Sequence, residues 1–176
     1  DSIKAATLRT QAAAVGDATA VVTAKEPSKP ISPTTTDKIA TVPGVISVEQ
    51  TRNVLLQRTD NGQAALVNGH LIPTHPHLVT GRAPAKLDEV AVNQSTVDNN
   101  AAIGSKITVN DPSRDGAKSI TLTVVGVLDP NSRTTTTPTS PEVYLSAASL
   151  ASISGHRGAN TCLLYTSDAA DDLLCV

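Results

Sequence analysis

The sequence predicts an α+β fold assembled from short strands and a few short helices. Runs rich in Val, Ile and Thr alternate with Gly, Pro and Asn turns over most of the 176 residues, which is typical of a chain with many strands. The clearest run, 119–128, alternates polar and apolar residues and then becomes wholly apolar, as expected for a strand that continues into a core. Ala-rich stretches at 1–15 and 146–153 predict helices.

The first 70 residues predict a leading helix followed by a β-α-β-β unit. Thr36-Asp37 can cap a short helix after a Pro-rich loop. Asn61-Gly62 predicts a tight hairpin turn, because this pair accepts the positive φ that such turns need. The predicted elements are helices over 1–15 and 36–41 and strands over 18–23, 45–48, 53–57 and 64–67.

A second β-rich segment follows an irregular, proline-containing stretch from His70 to Ala85. A Thr/Pro-rich loop over 131–141 is a candidate for O-linked sugar if the domain is exported, and a plain flexible loop is the simpler interpretation. The predicted elements of this segment are strands over 89–92, 107–109, 119–128 and 143–145 and helices over 94–102 and 146–153.

Composition excludes several classes of function. Phe and Trp are absent, so the core is aliphatic and we expect modest stability. No basic stripe with stacking aromatic residues is present, which argues against nucleic-acid binding. No stretch approaches the ~18 apolar residues needed to cross a bilayer. The chain begins at Asp1 without Met or a visible signal peptide, and we expect it to be a fragment or to have a processed start.

The last stretch, 162–176, requires separate treatment. From Cys162 to Asp171 it resembles a conceptual translation of the transposase adapter used in DNA library preparation, and we expect a non-native tail. A genuine amphipathic C-terminal helix is the alternative. The tail contains both cysteines, Cys162 and Cys175, so no disulfide or thiol chemistry is expected in the rest of the chain. It also contains three of the 16 acidic residues, which leaves 13 acidic against 14 basic residues.

Four stretches over about residues 1–155 follow one another in a recognisable order. Leu8 to Thr23 has the pattern of a helix that leads into a first strand, and Ile39 to Val48 has that of a helix followed by a Pro-Gly-Val strand. Gly81-Arg-Ala-Pro84 is followed by the segments 88–92 and 103–109, and then by Leu122 to Asp129 and Glu142 to Leu145. In this order and spacing the stretches resemble the MacB-like periplasmic core domains of ABC transporter permeases of the MacB/FtsX type, in which the first helix is a membrane-exit helix.

The resemblance implies a ferredoxin-like "porter" unit with a smaller β-rich "sabre" unit inserted in it, here truncated. On this basis the chain divides into a membrane-exit helix over 1–15, the first half of the porter-like unit over 16–79, the sabre-like unit over 80–145, the start of the return to the porter over 146–161, and the non-native tail over 162–176. Glycines in the sabre-like unit, including Gly104 and Gly126, are expected to serve tight turns and close packing rather than catalysis.

Three histidines are the most prominent candidates for metal binding. His70, His75 and His77 lie within eight residues, and imidazoles so grouped can hold zinc or copper. Pro73 and Pro76 make the run irregular, however, and no thiol or carboxylate is close in sequence. We therefore interpret them as polar loop histidines and predict no metal site.

Other polar groups fit poorly with catalysis. Asp88 and Glu89 are adjacent in a predicted strand, so their side chains point to opposite faces and cannot share acid–base work. The Ser and His residues of 152–156 lack the Gly-x-Ser-x-Gly elbow. Residues 155–158 match neither phosphate-binding loop pattern. We therefore predict no catalytic or cofactor-binding residue and no enzymatic activity.

The resemblance implies an extracytoplasmic domain of a permease in the cell membrane, which transmits ATP-driven conformational change and contacts a substrate or partner. No cofactor is expected in this chain, because ATP would bind a cytoplasmic ABC ATPase partner, reached through membrane helices outside the sequence. A permease dimer is also implied. One alternative is a standalone exported module that binds peptide or glycan, which a signal sequence upstream would support. A hydrolytic enzyme with an unrecognised site is the other.

Overall fold

The computed structural model of the chain describes residues 18–26, 28–128 and 140–166. Mixed helices and strands in these ranges confirm the predicted α+β class. The predicted helix over 1–15, most of the loop over 131–141 and the end of the tail lie outside the described residues. In chain order the elements are β1 (Ala20–Thr23), α1 (Pro33–Ala40), β2 (Val45–Thr51), β3 (Asn53–Arg58), β4 (Ala65–Leu71), β5 (Leu78–Gly81), β6 (Glu89–Val92), α2 (Gln94–Asp98), β7 (Lys106–Asn110), β8 (Ile120–Leu128), β9 (Glu142–Leu145), α3 (Ala147–Ser154) and β10 (Thr161–Thr166).

The chain divides into two compact units. The first contains residues 1–52 and 157–176, and the second contains residues 53–156, so the second is inserted in the first. These limits differ from the predicted sabre-like segment, 80–145. The physical reason is strand pairing, because β3 pairs with β7 and β4 pairs with β9, which places the β3–β4 hairpin in the inserted unit.

The first unit contains a sheet with the strand order β1-β10-β2. Both pairings are antiparallel, so β1 and β2 run parallel with β10 between them. Residues 162–166, which were expected to lie outside the fold as part of the tail 162–176, instead lie in the central strand β10. Cys162 and Leu164 are buried there with Ala20, Ile31 and Ala159. The foreign origin of the tail stays a prediction, separate from its place in the sheet.

Helix α1 covers one part of this sheet and begins earlier than predicted. Ser32 caps it by accepting a hydrogen bond from the backbone N–H of Thr35 at 3.2 Å, and Pro33 occupies the first turn, where a missing N–H has no cost. The Thr36 hydroxyl lies 3.7 Å from the Cys162 sulfur, so the helix contacts β10. Burial raises the pKa of the Cys162 thiol, and the Thr36 hydroxyl partly opposes this.

The second unit contains a sheet that closes on itself. Its strand order is β5-β8-β6-β9-β4-β3-β7, and β7 also pairs with β8, which completes a ring from β8 round to β7. The long strand β8 pairs with β6 along one edge and with β5 and β7 along the other. Closure removes the free strand edges within the ring. The main aliphatic core includes Leu56, Ile107, Leu122, Val143 and Leu150.

The hairpin predicted at Asn61-Gly62 is confirmed, but its loop is longer than a tight turn. β3 and β4 pair from Arg58 opposite Ala65 onward, which leaves 59–64 as the connection. Gly62 has a φ of +77°, whereas Asn61 is not among the residues with positive φ. A two-residue type I′ turn would need positive φ at both positions, so the longer loop removes that requirement from Asn61.

Two further elements differ from the prediction. Strand β5 was not predicted, because Leu78–Gly81 lies among prolines and loop-forming residues. Helix α2 ends at Asp98 rather than near 102. Asn100 adopts a φ of +64°, a left-handed conformation that stops a helix and that Asn tolerates better than most residues.

Candidate functional site

The segment from Gly81 to Glu89, central to the family resemblance, is organised by one ion pair. Arg82 donates from Nη1 to Glu89 Oε2 at 2.8 Å and from Nη2 to Oε1 at 2.5 Å. The backbone N–H groups of Ala85 and Lys86 also donate to Oε2, at 2.9 and 3.1 Å. The hydrogen bond from Arg82, followed by that from Ala85, lowers the pKa of Glu89 to about 2.

Two glycines beside this ion pair allow β5 to approach β8 closely. A Cβ atom on Gly126 would lie 2.2 Å from the backbone oxygen of Arg82, and one on Gly81 would lie 2.3 Å from that of Val125. Gly81 also has a φ of +78°. The close-packing role predicted for Gly126 is therefore confirmed. The segment therefore fixes how β5 pairs with β8. Asp88 is exposed whereas Glu89 is buried, so these two adjacent carboxylate side chains do not meet.

A buried arginine, Arg58, forms a second ion pair at the end of the β3–β4 hairpin. Arg58 Nε and Nη2 donate to the two carboxylate oxygens of Asp60, at 2.8 and 2.7 Å. Its guanidinium also donates to the backbone oxygens of Asn99 and Asn100, where α2 ends. Burial of Asp60 would raise its pKa, but the bonds from Arg58 and from the backbone N–H of Thr108 lower it overall.

The three candidate histidines occupy different environments. His70 is buried on β4, whereas His75 and His77 are exposed in the connection to β5. Among the described residues, no group of three or more His, Cys, Asp or Glu side chains has an arrangement that could hold a metal ion. The structure does not bring these imidazoles together.

Instead, His70 belongs to a buried polar cluster with Asn53, Glu142 and Tyr144. Its Nδ1 atom lies 2.7 Å from Asn53 Oδ1, and its ring stacks on Tyr144 with centroids 5.3 Å apart. The Tyr144 hydroxyl donates to Glu142 Oε2 at 2.5 Å. Burial lowers the pKa of His70, and the charge and hydrogen bonding of Glu142 partly oppose that shift.

Sequence reasoning missed Glu142 and Tyr144 as members of this cluster. A signal was present, because residues at i and i+2 of a strand share a face, and Glu142 and Tyr144 interrupt an otherwise apolar strand. The partner could not be inferred, since the parallel register that sets His70 opposite Tyr144 joins distant parts of the chain.

The backbone of Glu142 is held by the beginning of α2. Its N–H donates to the Asn93 side-chain oxygen at 3.1 Å and to the Thr96 hydroxyl at 2.9 Å. Asn93 is also the N-cap of α2 and accepts from the backbone N–H of Thr96 at 3.1 Å. This arrangement fixes the position from which the Glu142 side chain projects.

The serines near the end of α3 have structural contacts. Ser154 donates from its hydroxyl to the backbone oxygen of Leu150 at 2.7 Å, the back-bonding that serine commonly makes within a helix. Gly155 follows in a left-handed conformation and ends the helix. Ser152 and His156 flank this terminus, and the prediction that they carry no catalysis stays a prediction.

Within the described part of the chain, no helix combines the length and the apolar character needed to span a membrane.

Comparison with known proteins adds a family and a fold. The model of the family described as MacB-like periplasmic core domain matches residues 2–173. The extracellular domain of the noncanonic ABC-type transporter YknZ from Gram-positive bacteria is similar in structure, with a TM-score of 0.62 and 11% identity over 84% of this chain and 79% of that one. The periplasmic region of MacB from Actinobacillus actinomycetemcomitans has a TM-score of 0.51 and 16% identity over 83% of this chain and 72% of that one. No curated protein matches the sequence.

Proposed function

Because the chain belongs to the family of MacB-like periplasmic core domains, we propose that it transmits ATP-driven conformational change and contacts a substrate or partner outside the membrane. The family forms the periplasmic region of MacB/FtsX-like ABC transporter permeases. The domain is accordingly an extracytoplasmic part of a membrane protein and not a classical enzyme. The observation that carries the proposal is the family match, which extends over both compact units.

The organisation of the second unit supports a mechanical role. Its strands close into a ring. Two ion pairs, each with one buried partner, tie its loops to that ring at Arg58–Asp60 and Arg82–Glu89. A body with paired strand edges and satisfied charges opens locally less readily than an open sheet. Such a body can be moved by an attached element without losing its own structure.

The proposed coupling follows a population shift. A cytoplasmic ABC ATPase, in association with the permease, would bind and hydrolyse ATP, and membrane helices outside this sequence would carry the change outward. ATP favours one of two arrangements, and the domain follows because its contacts differ between them. We further propose that two permease chains act together as a dimer.

Hydrogen exchange in the intact permease with its ATPase, reconstituted in lipid nanodiscs, tests the transmission. We expect amide protection within this domain to differ between the nucleotide-free complex and the ATP-bound complex with hydrolysis blocked. An ATPase variant that cannot bind ATP is the control and should show no difference on ATP addition. Identical exchange of every domain peptide in both nucleotide states, together with unchanged distances between spin labels on this domain and on the ATPase, would exclude a transmitting role.

A further inference from the structure

Two buried polar atoms in the second unit face each other without a hydrogen-bond partner in the described part of the chain. They are His70 Nε2 and Glu142 Oε1, which lie 3.6 Å apart. The His70 side chain is 7% exposed and that of Glu142 is fully buried. Burying polar atoms without partners is costly, so native structures seldom retain such a pair unless something occupies the gap.

The other contacts of the cluster limit what can lie there. An amide oxygen only accepts hydrogen bonds, so Nδ1 of His70 must donate to Asn53 Oδ1. A neutral ring then presents the lone pair of Nε2 toward Glu142. Glu142 Oε2 already accepts from Tyr144, and an ionised carboxylate presents a further lone pair at Oε1. Two lone pairs would face each other, and one proton between them resolves the conflict.

The reverse orientation of the Asn53 amide leads to the same position. Its NH₂ group would donate to Nδ1, and the ring hydrogen of a neutral His70 would then be on Nε2. That hydrogen again points toward Glu142 Oε1. Both orientations therefore place a proton in the same gap, but they differ by one proton in total. With the Asn53 amide donating, the ring is neutral and Glu142 is ionised, as in the unfolded chain near pH 7, whereas with Asn53 accepting the pair carries one proton more. The neutral ring is the state that agrees with burial lowering the pKa of His70.

We propose that His70 and Glu142 form a buried proton-binding site, which holds a single proton between Nε2 and Oε1 and makes the pairing of β4 with β9 sensitive to pH. Removing the proton leaves opposed lone pairs, and adding a second one sets two hydrogens against each other. The site lies on the parallel pairing of Asn68–Leu71 with Glu142–Leu145. It lies wholly within the second unit and does not depend on the proposed role in transport.

Among the described residues, few ionisable groups accompany this site. On β3, Arg58 is bound by Asp60, and on β6, Glu89 is bound by Arg82. Helix α3, Ala147–Ser154, has no ionisable side chain. His75 and His77, in the connection from β4 to β5, are exposed. Glu142 is the charge that acts on the ring. Burial nevertheless keeps the pKa of His70 below its usual range, which agrees with weak uptake of a second proton.

Nitrogen-15 NMR of the imidazole rings in the full chain tests the site directly. We expect the ring shifts of His70 to stay constant from pH 8 to below 6.5, while a histidine-containing reference peptide in the same buffer titrates normally. A downfield hydrogen-bonded proton should correlate with the ring. If His70 follows the reference peptide, the shared proton does not exist. This measurement needs no substitution and therefore stands even if a variant fails to fold.

Thermal melting as a function of pH tests the consequence for stability. A folded-state pKa below the unfolded value means that stability is lost as pH falls below about 6.5, because the unfolded chain then binds more protons. We expect His70→Gln to remove part of this dependence and the matched control, His75→Gln, to retain it. Equal pH dependence in all three proteins would overturn the proposal.

Substitution of the carboxylate distinguishes a proton from a metal ion. Glu142→Gln can place either an amide oxygen or an amide hydrogen toward Nε2, whichever the ring tautomer requires, so its melting temperature should stay well above that of Glu142→Leu, which offers neither. Equal or reversed melting temperatures would overturn the proton site. Stoichiometric zinc binding that shifts the His70 ring signals and disappears in His70→Gln would also overturn it, in favour of a metal.

Discussion

Arg82 and Glu89, seven residues apart, bind each other through two parallel hydrogen bonds, and the carboxylate is almost fully buried while the guanidinium remains largely exposed. The pair joins the end of β5 to the beginning of β6. Its geometry is bidentate, the arrangement in which arginine recognises a carboxylate most strongly. The ion pair thus gives a physical reason for the Gly-Arg-Ala-Pro and Glu-Val spacing that the family resemblance used.

Glu89 is predicted to make folding depend on pH in the acid range. Its folded-state pKa of about 2 lies below the ordinary value of 4.5, so the ionised carboxylate stabilises the fold above that ordinary value. The stabilisation is lost as pH falls from 4.5 toward 2, because the unfolded chain then binds the proton more readily. Urea denaturation at several pH values should show this loss in the unmodified chain and much less of it in Glu89→Gln.

The exposed neighbour provides the control for that experiment. Asp88→Asn removes an adjacent carboxylate outside the ion pair and should keep the acid dependence of the unmodified chain. If Asp88→Asn and Glu89→Gln respond alike, the ion pair is not the source of the dependence.

Replacement of Arg58 is predicted to be strongly destabilising. The guanidinium is 5% exposed and binds Asp60 together with the backbone oxygens of Asn99 and Asn100, which directly follow α2. Arg58→Met leaves these acceptors without their donor, and removing one partner of a buried pair costs about 3–5 kcal/mol. Chemical denaturation followed by circular dichroism measures the change. Lys106→Met, an exposed basic residue on β7, should change the free energy of unfolding by less than about 0.5 kcal/mol.

Gly126 is predicted to tolerate no side chain. Its Cβ would lie 2.2 Å from a backbone oxygen that cannot move without shifting β5, so Gly126→Ala should cost at least the ~1–3 kcal/mol typical of overpacking. Gly104→Ala is the comparison, because Gly104 has a φ of +88° but open space around it. That change should cost about 1–2 kcal/mol through backbone strain alone. A smaller effect at Gly126 than at Gly104 would contradict the close approach.

Strand patterning was sufficient to locate much of the fold. β6, β7, β8 and β9 lie within about one residue of the predicted strands, because alternation and β-branched residues are local signals. β5 carries no such signal, since four residues between loop segments acquire strand structure only by pairing with β8. The predicted limits of the porter-like and sabre-like segments stay a prediction, and the compact units divide the chain differently because the partners of β3 and β4 are distant in sequence. The His70–Glu142 contact depends on that same long-range register.

Substitutions in strand β10 and its neighbour β2 test whether the first residues of the tail, 162–166, pack in the sheet. The structure buries Leu164 in the central strand of the first unit, whereas Ile46 on the neighbouring strand β2 is 70% exposed. Leu164→Ala should therefore lower the free energy of unfolding by about 2–5 kcal/mol, the range for a buried leucine. Ile46→Ala should change it by less than about 0.5 kcal/mol, as for most surface positions. Equal effects would mean that residues 162–166 do not pack in solution, as expected for an adapter-derived tail, whereas the predicted difference would establish that this segment completes the sheet whatever its origin.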